Sequence, residues 1–272
     1  MTCFFSFVFL LLFSSCSSTS KMNRRGISRI KTYQIQHKEI PPAFDGFRMA
    51  FTSDFHYKSI LQEKGLDKLI QQLQGLNADV LLMSGDYVEG CENASGLFSK
   101  LAQVRTRFGT YGVMGNNDYE ACHEDIVKEM KKYGMKILEQ TMDTLTIEKE
   151  HIILAGIRNP FDLKHNGLSP TISLQPEDFV ILLSHTPDYA EKGNITHVDL
   201  FLAGHTHGGQ VTLFGIYAPV KASSFGQKFI TGKKQNSHQQ TMIITNGIGT
   251  SRKAIRLFAP SEIVLIMLKS EH

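Results

Sequence analysis

Short apolar runs alternate with amphipathic stretches along most of the 272-residue chain, and this alternation restricts the fold more than any other feature. Residues 47–52 and 80–83 have the composition of buried strands. Between them, apolar residues recur at the spacing of one helix face: Leu66, Leu69, Ile70, Leu73 and Leu76. The same order continues, with helices predicted over residues 97–104 and 126–133 and strands over 111–114, 179–183 and 199–202. Strands and helices in alternation predict an α/β domain.

Two further apolar runs near the C-terminus, residues 242–245 and 263–268, predict strands of a second sheet packed on the first. The composition, 42% apolar and 20% charged, is that of an ordinary folded protein. No repeat or low-complexity linker divides the chain, so a single domain is predicted over residues 32–272. The net charge of +3 is too small to indicate a nucleic-acid partner, and none is expected.

The chain has four cysteines, Cys3, Cys16, Cys91 and Cys122, and no Cys-x-x-Cys pair. Neither a zinc ribbon nor a disulfide framework fits this spacing. A disulfide between Cys91 and Cys122 stays open, but two separate half-buried thiols are the expected outcome.

The first 31 residues differ from the rest of the chain and predict a leader or membrane anchor with a basic flank. Residues 4–13 form an apolar run that is too short to span a bilayer unaided, and a Ser-Ser-Cys sequence ending at Cys16 follows. This arrangement is typical of a bacterial lipoprotein signal, in which Cys16 would carry the lipid. Alternatively, the basic residues up to Lys31 would lie on anionic lipid and keep the body in the cytosol. In a third interpretation, translation begins at Met22. The first two interpretations predict membrane association and leave the side of the membrane open.

Five of the predicted strands are followed at once by residues that bind metals or phosphate. The segments are Ser53-Asp54-Phe55-His56, Ser84-Gly85-Asp86, Gly115-Asn116-Asn117-Asp118, Ser184-His185-Thr186-Pro187 and Gly204-His205-Thr206-His207. In an open α/β sheet the carboxyl ends of neighbouring strands meet at one crevice, so these side chains are expected to lie together. A single His or Asp after a strand is usually a turn or cap residue, but five such segments in this order favour one shared site.

Aspartate, histidine and asparagine without cysteine form a nitrogen and oxygen ligand set that suits manganese, iron or zinc. Seven such ligands are too many for one ion, so two divalent ions that share a carboxylate are predicted. Two ions roughly 3.5 to 4 Å apart activate a water and stabilise a phosphoryl group during displacement. The residue types therefore indicate phosphoryl chemistry before any family is considered.

The motifs D-x-H, GD, GN-x-D, a lone His and GH-x-H, in this order from Asp54 to His207, resemble the signature of the calcineurin-like metallophosphoesterases. The segments GHTHGGQV at 204–211 and NGIGTSRKAIRLFAPSEIVLI at 246–266 are similar to the membrane- or wall-associated YkuE/YaeI-like branch. The resemblance covers residues 33–268. It implies a four-layer α/β/β/α sandwich with two central mixed sheets, and a hydrolase of phosphoric ester or anhydride bonds.

The resemblance also implies which residue holds which ion. One metal would be held by Asp54, His56 and His207. The second would be held by Asn116, His185 and His205. Asp86 would bridge the two, and a water activated between them would attack phosphorus.

The chain departs from the family pattern at Asn117, where many relatives have a histidine thought to assist the leaving group. Asparagine cannot donate a proton as an acid, but it could hydrogen-bond a phosphoryl oxygen, which suits a leaving group that is itself a phosphate. Asn117 is therefore a candidate catalytic residue, and Asp118, the usual partner of that histidine, has no assigned role. Arg256 is a candidate for a bidentate contact with substrate phosphate, and a solvated strand-end arginine is the alternative.

The expected function is cleavage of a phosphodiester or pyrophosphate bond, with a lipid-linked nucleotide such as UDP-diacylglucosamine as one substrate that the resemblance implies. One alternative is a broad extracytoplasmic phosphodiesterase or phosphomonoesterase. Another is a metal-binding lipoprotein without turnover, in which Asn117 would be the lesion. The sequence leaves the oligomeric state open.

Overall fold

The computed structural model describes residues 27–162 and 168–271. Twelve strands are found in these ranges: β1 (Arg29–His37), β2 (Arg48–Thr52), β3 (Val80–Met83), β4 (Thr110–Gly112), β5 (Lys136–Ile137), β6 (Thr141–Ile147), β7 (Glu150–Gly156), β8 (Val180–Ser184), β9 (Leu200–Ala203), β10 (Gly232–Gln235), β11 (Thr241–Ile244) and β12 (Glu262–Ser270). The α-helices in the same ranges are α1 (Glu63–Gly75), α2 (Ala94–Leu101), α3 (His123–Lys132) and the single turn α4 (Tyr189–Lys192). Short 3-10 turns and one π turn connect them.

The strands form two mixed sheets of six strands each. The first sheet has the order β1-β12-β2-β3-β4-β5, and the second has the order β10-β11-β9-β8-β7-β6. Within the first sheet β2, β3, β4 and β5 are parallel, and within the second β7, β8, β9 and β11 are parallel. Because parallel strands end at the same sheet edge, loops from both sheets can meet at one site.

Apolar side chains fill the space between the two sheets and the space outside each. Between the sheets lie strand residues such as Phe51, Leu82, Leu154 and Leu202, all fully buried. The outer face of the first sheet is covered by the three longer helices, and α1 packs there through Leu66, Leu69, Ile70 and Leu73 as its spacing predicts. Burying each of these four side chains stabilises the fold by roughly 1.5–3 kcal/mol.

The outer layer on the second sheet contains less helix than the expected four-layer sandwich. The outer face of the second sheet is covered by α4 and by loops that bury Ile195, Val198 and Phe229. The α/β fold with two central mixed sheets is confirmed, but within the described residues this outer layer is mostly irregular chain.

Two expectations from the sequence need correction. Cys91 and Cys122 form a disulfide, although separate thiols were expected. Arg29 and Lys31 belong to β1, which pairs with β12 in parallel, so the folded domain begins before residue 32. The rest of the predicted leader, residues 1–26, lies outside the described residues. Within the described ranges, no helix combines the length and the apolar character needed to cross a membrane.

Candidate metal centre

The predicted ligands all follow the carboxyl ends of parallel strands. Asp54 and His56 follow β2, Asp86 follows β3, His185 follows β8, and His205 with His207 follows β9. Asn116 follows the strand-like segment after β4. Five of these residues are buried and the other two are partly exposed, and the loops of the two sheets bring all seven to one site at the shared sheet edge.

Six of the ligands form two groups of three, in each of which the ligand atoms lie within 4.8 Å of one another. Asp54, His56 and His207 form the first group, and Asp86, His185 and His205 form the second. The family resemblance implied the same division of the histidines, and their assignment to two ions stays a prediction.

The carboxylate of Asp86 links the two groups. Its Oδ2 atom lies 3.4 Å from Nε2 of His56 in the first group and 3.4 Å from Nε2 of His185 in the second. Its Oδ1 atom accepts a hydrogen bond from the backbone N–H of Asn117 at 3.0 Å. One oxygen is therefore held by the protein while the other faces both groups, as a shared ligand requires.

Two buried polar atoms of the site have no hydrogen-bond partner among the described residues, namely Nε2 of His56 and Oδ1 of Asn116. Nδ1 of His56 donates to Oε1 of Glu89 at 2.7 Å, and Nδ2 of Asn116 donates to Oδ1 of Asn117 at 2.8 Å. Each side chain thus uses its second polar atom within the protein and presents the first to the centre. An unpaired buried acceptor costs about 1–3 kcal/mol, and a metal at this point would satisfy both atoms.

Backbone and acidic groups orient the remaining imidazoles and carboxylates. Nδ1–H of His185 donates to the carbonyl oxygen of Ser84 at 2.6 Å, which leaves Nε2 facing Asp86. The backbone N–H of His205 donates to both carboxylate oxygens of Asp54, at 3.2 and 2.9 Å. Such outer contacts fix the ring orientation of metal-ligating histidines.

Glu89 was missed in the sequence analysis, although it binds His56 directly. It lies three residues after Asp86, on the loop that follows β3, and its side chain is 46% exposed. A carboxylate close behind the Gly-Asp motif was the available signal. Its partner could not be identified, because the loop conformation decides which histidine it meets.

Asp118, which had no assigned role, supports three backbone groups of the site. Its carboxylate accepts hydrogen bonds from the N–H groups of Asp86 at 2.8 Å, Tyr87 at 3.0 Å and Gly115 at 2.7 Å. Burial, together with the nearby charge of Asp86, raises the pKa of Asp118 to about 7. Asp118 therefore joins the loops after β3 and β4 and positions the bridging carboxylate.

Close approach of the backbone makes one glycine of these motifs indispensable. A Cβ atom at Gly115 would overlap Oδ1 and the backbone N of Asp86. The sequence Gly-Asn-Asn-Asp thus begins with glycine because the loop after β4 passes directly against the bridging carboxylate.

Ion pairing sets the protonation of the histidines in the metal-free protein. Burial lowers the pKa of His56, but the nearby carboxylates of Asp86 and Glu89 outweigh burial and raise this pKa to about 10. Burial likewise opposes protonation of His185, and the charge of Asp86 raises its pKa to about 9. Burial and the charge of His185 lower the pKa of His205 to about 3. Without metal, two imidazolium ions would therefore neutralise the carboxylates.

Arg256 is buried and bound to backbone carbonyl groups of the protein. Its guanidinium is buried and donates to the carbonyl oxygens of His207 at 3.0 Å, Asn246 at 2.7 Å, Gly249 at 2.6 and 2.9 Å, and Ala259 at 3.0 Å. The expected contact with substrate phosphate is therefore replaced by a structural role, because these bonds occupy the N–H groups of the side chain. Burial and the charge of Arg256 lower the pKa of His207 well below its usual value and keep this ligand neutral.

Asn117 lies at the edge of the centre and is partly exposed. Its side-chain oxygen accepts the bond from Asn116, so its Nδ2 group is the atom that could donate to a bound phosphoryl oxygen. This geometry agrees with the predicted hydrogen-bonding role and leaves that role a prediction.

The fold and the two bridged groups of ligands define a metal-dependent phosphoesterase centre, and comparison with known proteins agrees. The model of the family described as calcineurin-like phosphoesterase matches residues 47–209. The chain belongs to this family, which confirms the predicted class of enzyme: a hydrolase that acts on phosphoester bonds.

Similar proteins include the uncharacterized metallophosphoesterase YkuE of Bacillus subtilis, 27% identical over 88% of this chain and 84% of that protein. The uncharacterized metallophosphoesterase Cj0846 of Campylobacter jejuni is 28% identical over 86% of this chain, which spans 62% of that longer protein. Among solved structures, TT1561 of Thermus thermophilus has a TM-score of 0.50 at 14% identity and matches 75% of this chain and 90% of that one. This last similarity concerns the fold alone.

Proposed function

We propose that the protein is a dinuclear metal-dependent hydrolase that cleaves a phosphodiester or pyrophosphate bond. The observation that supports this most is the position of Asp86 Oδ2, 3.4 Å from a histidine nitrogen of each ligand group. A bridging carboxylate of this kind has no use at a site for a single ion, and two adjacent ions suit phosphoryl transfer.

The residues present fit two divalent ions of the manganese, iron or zinc type. Asp54, His56 and His207 would hold one, whereas Asn116, His185 and His205 would hold the other, with Asp86 between them. When bound, such ions supply a water activated at neutral pH and positive charge against the phosphoryl oxygens. The protein's own contribution is to fix the ligands through Glu89 and Asp118 and to offer the Nδ2 donor of Asn117 to the substrate.

The disulfide bears on where the substrate is found. Structural disulfides form and persist in oxidising compartments and are rare in the cytosol. The bond between Cys91 and Cys122 therefore favours a body outside the cytoplasm, consistent with the lipoprotein interpretation of the leader. Under this proposal the substrate is an extracytoplasmic phosphodiester or pyrophosphate.

A lipid-linked nucleotide, such as UDP-diacylglucosamine, is the second candidate substrate. The loop after His207 carries several exposed apolar side chains, which would suit an acyl chain close to the metal centre. The disulfide counts against it where the substrate is made and used in the cytosol.

Hydrolysis of bis(p-nitrophenyl) phosphate by the full-length, manganese-loaded protein tests the proposal. We expect turnover that EDTA abolishes and that Asp86→Asn lowers at least about a hundredfold, because the bridging ligand is lost. His151→Asn is the matched control, since His151 is an exposed histidine that pairs with Asp178 at 3.1 Å away from the centre. Its turnover should equal that of the wild type.

Metal analysis of the same samples separates the alternatives. Two ions per chain with no turnover of a diester, a pyrophosphate or a monoester would overturn the hydrolase proposal and favour a metal-binding protein without turnover. Turnover that survives both EDTA and Asp86→Asn would overturn the assignment of this centre.

A further inference from the structure

A group of exposed apolar side chains lies mainly on the loop that follows the ligand His207, and hydrolysis of a soluble phosphodiester or pyrophosphate does not require it. We call it the apolar rim, and it consists of Val211, Leu213, Phe214, Ile216, Tyr217, Val220 and Phe258. Ile216 is 86% exposed, Phe214 and Val220 are each 73% exposed, and Phe258 is 53% exposed. Large exposed apolar groups scattered singly are normal, but a contiguous set marks an interaction surface.

The apolar rim is an ordered structure. Leu213 and Tyr217 form an antiparallel bridge, and Val211 forms a parallel bridge with Leu257. The rings of Phe214 and Phe258 lie 5.5 Å apart. The backbone N–H of Ile216 donates to the carbonyl oxygen of Leu213 at 3.0 Å. Since this tip pairs backbone groups internally, its apolar side chains can leave water at little cost in unsatisfied hydrogen bonds.

Two exposed aromatic residues of the rim have a strained backbone conformation. Phe214 and Phe258 have φ values of 54°, in the left-handed region that costs a residue other than glycine roughly 1–2 kcal/mol. At both positions the free-energy cost of the strained backbone adds to the cost of exposing an aromatic ring to water. Such strain concentrates at functional positions.

The segment that contains the rim is basic, and two acidic residues that contact it, Asp188 and Glu191, bind Ser223, Ser224 and Lys228. From residue 200 to residue 261 the chain contains no Asp or Glu, and it contains seven basic residues: Lys221, Lys228, Lys233, Lys234, Arg252, Lys253 and Arg256. Lys221, Arg252 and Lys253 are exposed and, within the described ranges, form no ion pair with a carboxylate. Each lysine or arginine near an anionic membrane contributes about 1 kcal/mol to binding.

The basic segment is joined to the rim by hydrogen bonds. The side-chain amide of Gln210 donates to the carbonyl oxygens of Ser251 and Lys253, at 3.0 and 3.1 Å. Gln210 immediately precedes Val211, so the basic residues flank the apolar ones on the same surface.

We propose that the apolar rim and its basic flank dock on an anionic lipid surface. Aromatic and aliphatic side chains would enter the boundary between headgroups and acyl chains, and the lysines and arginines would contact the headgroup phosphates. The rim begins four residues after the ligand His207, so docking places the metal centre at the membrane surface. This proposal goes beyond the hydrolase function and does not depend on turnover.

The attachment of the N-terminal segment agrees with this orientation. The backbone N–H of Ser28 donates to Oγ of Ser261 at 3.2 Å. Ser261 lies three residues after Phe258 in the chain. A leader that binds the membrane, as the sequence predicts, would therefore join the domain beside the apolar rim.

The 272-residue chain contains no tryptophan, so a single substitution can report on the rim alone. Ile216→Trp places a fluorophore at the most exposed position, and the protein is mixed with vesicles of phosphatidylcholine with or without phosphatidylglycerol. We expect a blue shift of the emission with the anionic vesicles and a smaller shift with the neutral ones. Lys149→Trp is the control, because this exposed turn between β6 and β7 lies at the opposite sheet edge, and its emission should not shift.

Two further variants test the apolar and basic contributions separately. Phe214→Ser should weaken partition into anionic vesicles at least about tenfold, as expected for loss of one buried apolar side chain. Lys221→Glu together with Lys253→Glu should remove the preference for anionic over neutral vesicles.

The fluorescence outcomes decide the proposal. An unchanged emission of Ile216→Trp on anionic vesicles would overturn lipid docking. A blue shift that occurs without vesicles and grows with protein concentration would show instead that a second copy of the chain covers the rim. Neither outcome needs an active centre, so failure here is distinct from failure of the hydrolase proposal.

Discussion

Five of the seven candidate ligands have a backbone conformation that side-chain-bearing residues rarely adopt. The φ values of Asp54, His56, Asp86, His205 and His207 lie between 37° and 68°. Each residue pays roughly 1–2 kcal/mol for this conformation. The tight turns after the strands require this conformation to direct the ligand side chains toward the centre. Formation of the site therefore lowers the stability of the fold.

A pair of variants at His205 measures this strain. Both His205→Ala and His205→Gly remove the imidazole, but only glycine adopts a φ of 68° without steric cost. We expect the glycine variant of the metal-free protein to be more stable than the alanine variant by about 1 kcal/mol, as measured by urea unfolding. Equal stability of the two variants, or a more stable alanine variant, would contradict the strain.

At the scale of elements, the disulfide joins two segments that carry supporting residues of the centre. Cys91 lies two residues after Glu89, and Cys122 lies at the end of the π turn that begins with Asp118. The bond closes a loop with a sequence separation of 31 residues, which contains α2 and β4 and ends just before α3. A loop of this length predicts a stabilisation of about 2–4 kcal/mol.

We therefore expect the double substitution Cys91→Ser and Cys122→Ser to lower the free energy of unfolding by about 2–4 kcal/mol in urea. Bound metal and turnover should be retained, because neither sulfur contacts a candidate ligand. Reductant should destabilise the wild type to the same extent and leave the double variant unchanged. Wild-type stability that reductant does not alter would show that the tether contributes nothing.

The elements also show how far the sequence predicts this protein. The strand ends and the order of the polar motifs predicted which residues meet, because parallel strands bring their carboxyl ends to one edge. The roles of Glu89, Asp118 and Arg256 were not predicted. Each depends on which backbone groups or imidazoles a loop presents to it, and periodicity carries no information about that. The disulfide was left open for the same reason, since two loops had to be placed before the sulfur atoms could be paired.

At the scale of the whole molecule, both sheets are required for the centre. Asp54, His56, Asp86 and Asn116 come from the first sheet, whereas the other three ligands come from the second. Metal bound between them would join the two halves of the sandwich and stabilise the folded chain by mass action. The size of this stabilisation depends on pH, because protons compete with metal for the histidines.

The sign of that dependence follows from the pKa values of His56 and His185. In the metal-free protein the pKa of His56 is raised to about 10 and the pKa of His185 to about 9. The ion pairs of the two imidazolium groups therefore make their full contribution to stability at any pH below the ordinary histidine pKa of about 6.5. This stabilisation is lost as the pH rises toward 9 and 10. The lowered pKa values of His205 and His207 act only below the ordinary value and contribute no change in this window.

We therefore expect the melting temperature of the EDTA-treated protein to fall between pH 6.5 and pH 9 relative to that of the metal-loaded protein, whose ligating imidazoles are already neutral. Groups far from the centre titrate equally in both forms, so the difference between the two melting temperatures isolates the ligands. Thermal unfolding of both forms, after dialysis to remove unbound metal, measures it at each pH. A difference that stays constant or narrows as the pH rises would show that His56 and His185 are not protonated in the metal-free centre, and the carboxylate network around Asp86 would have to be reassigned.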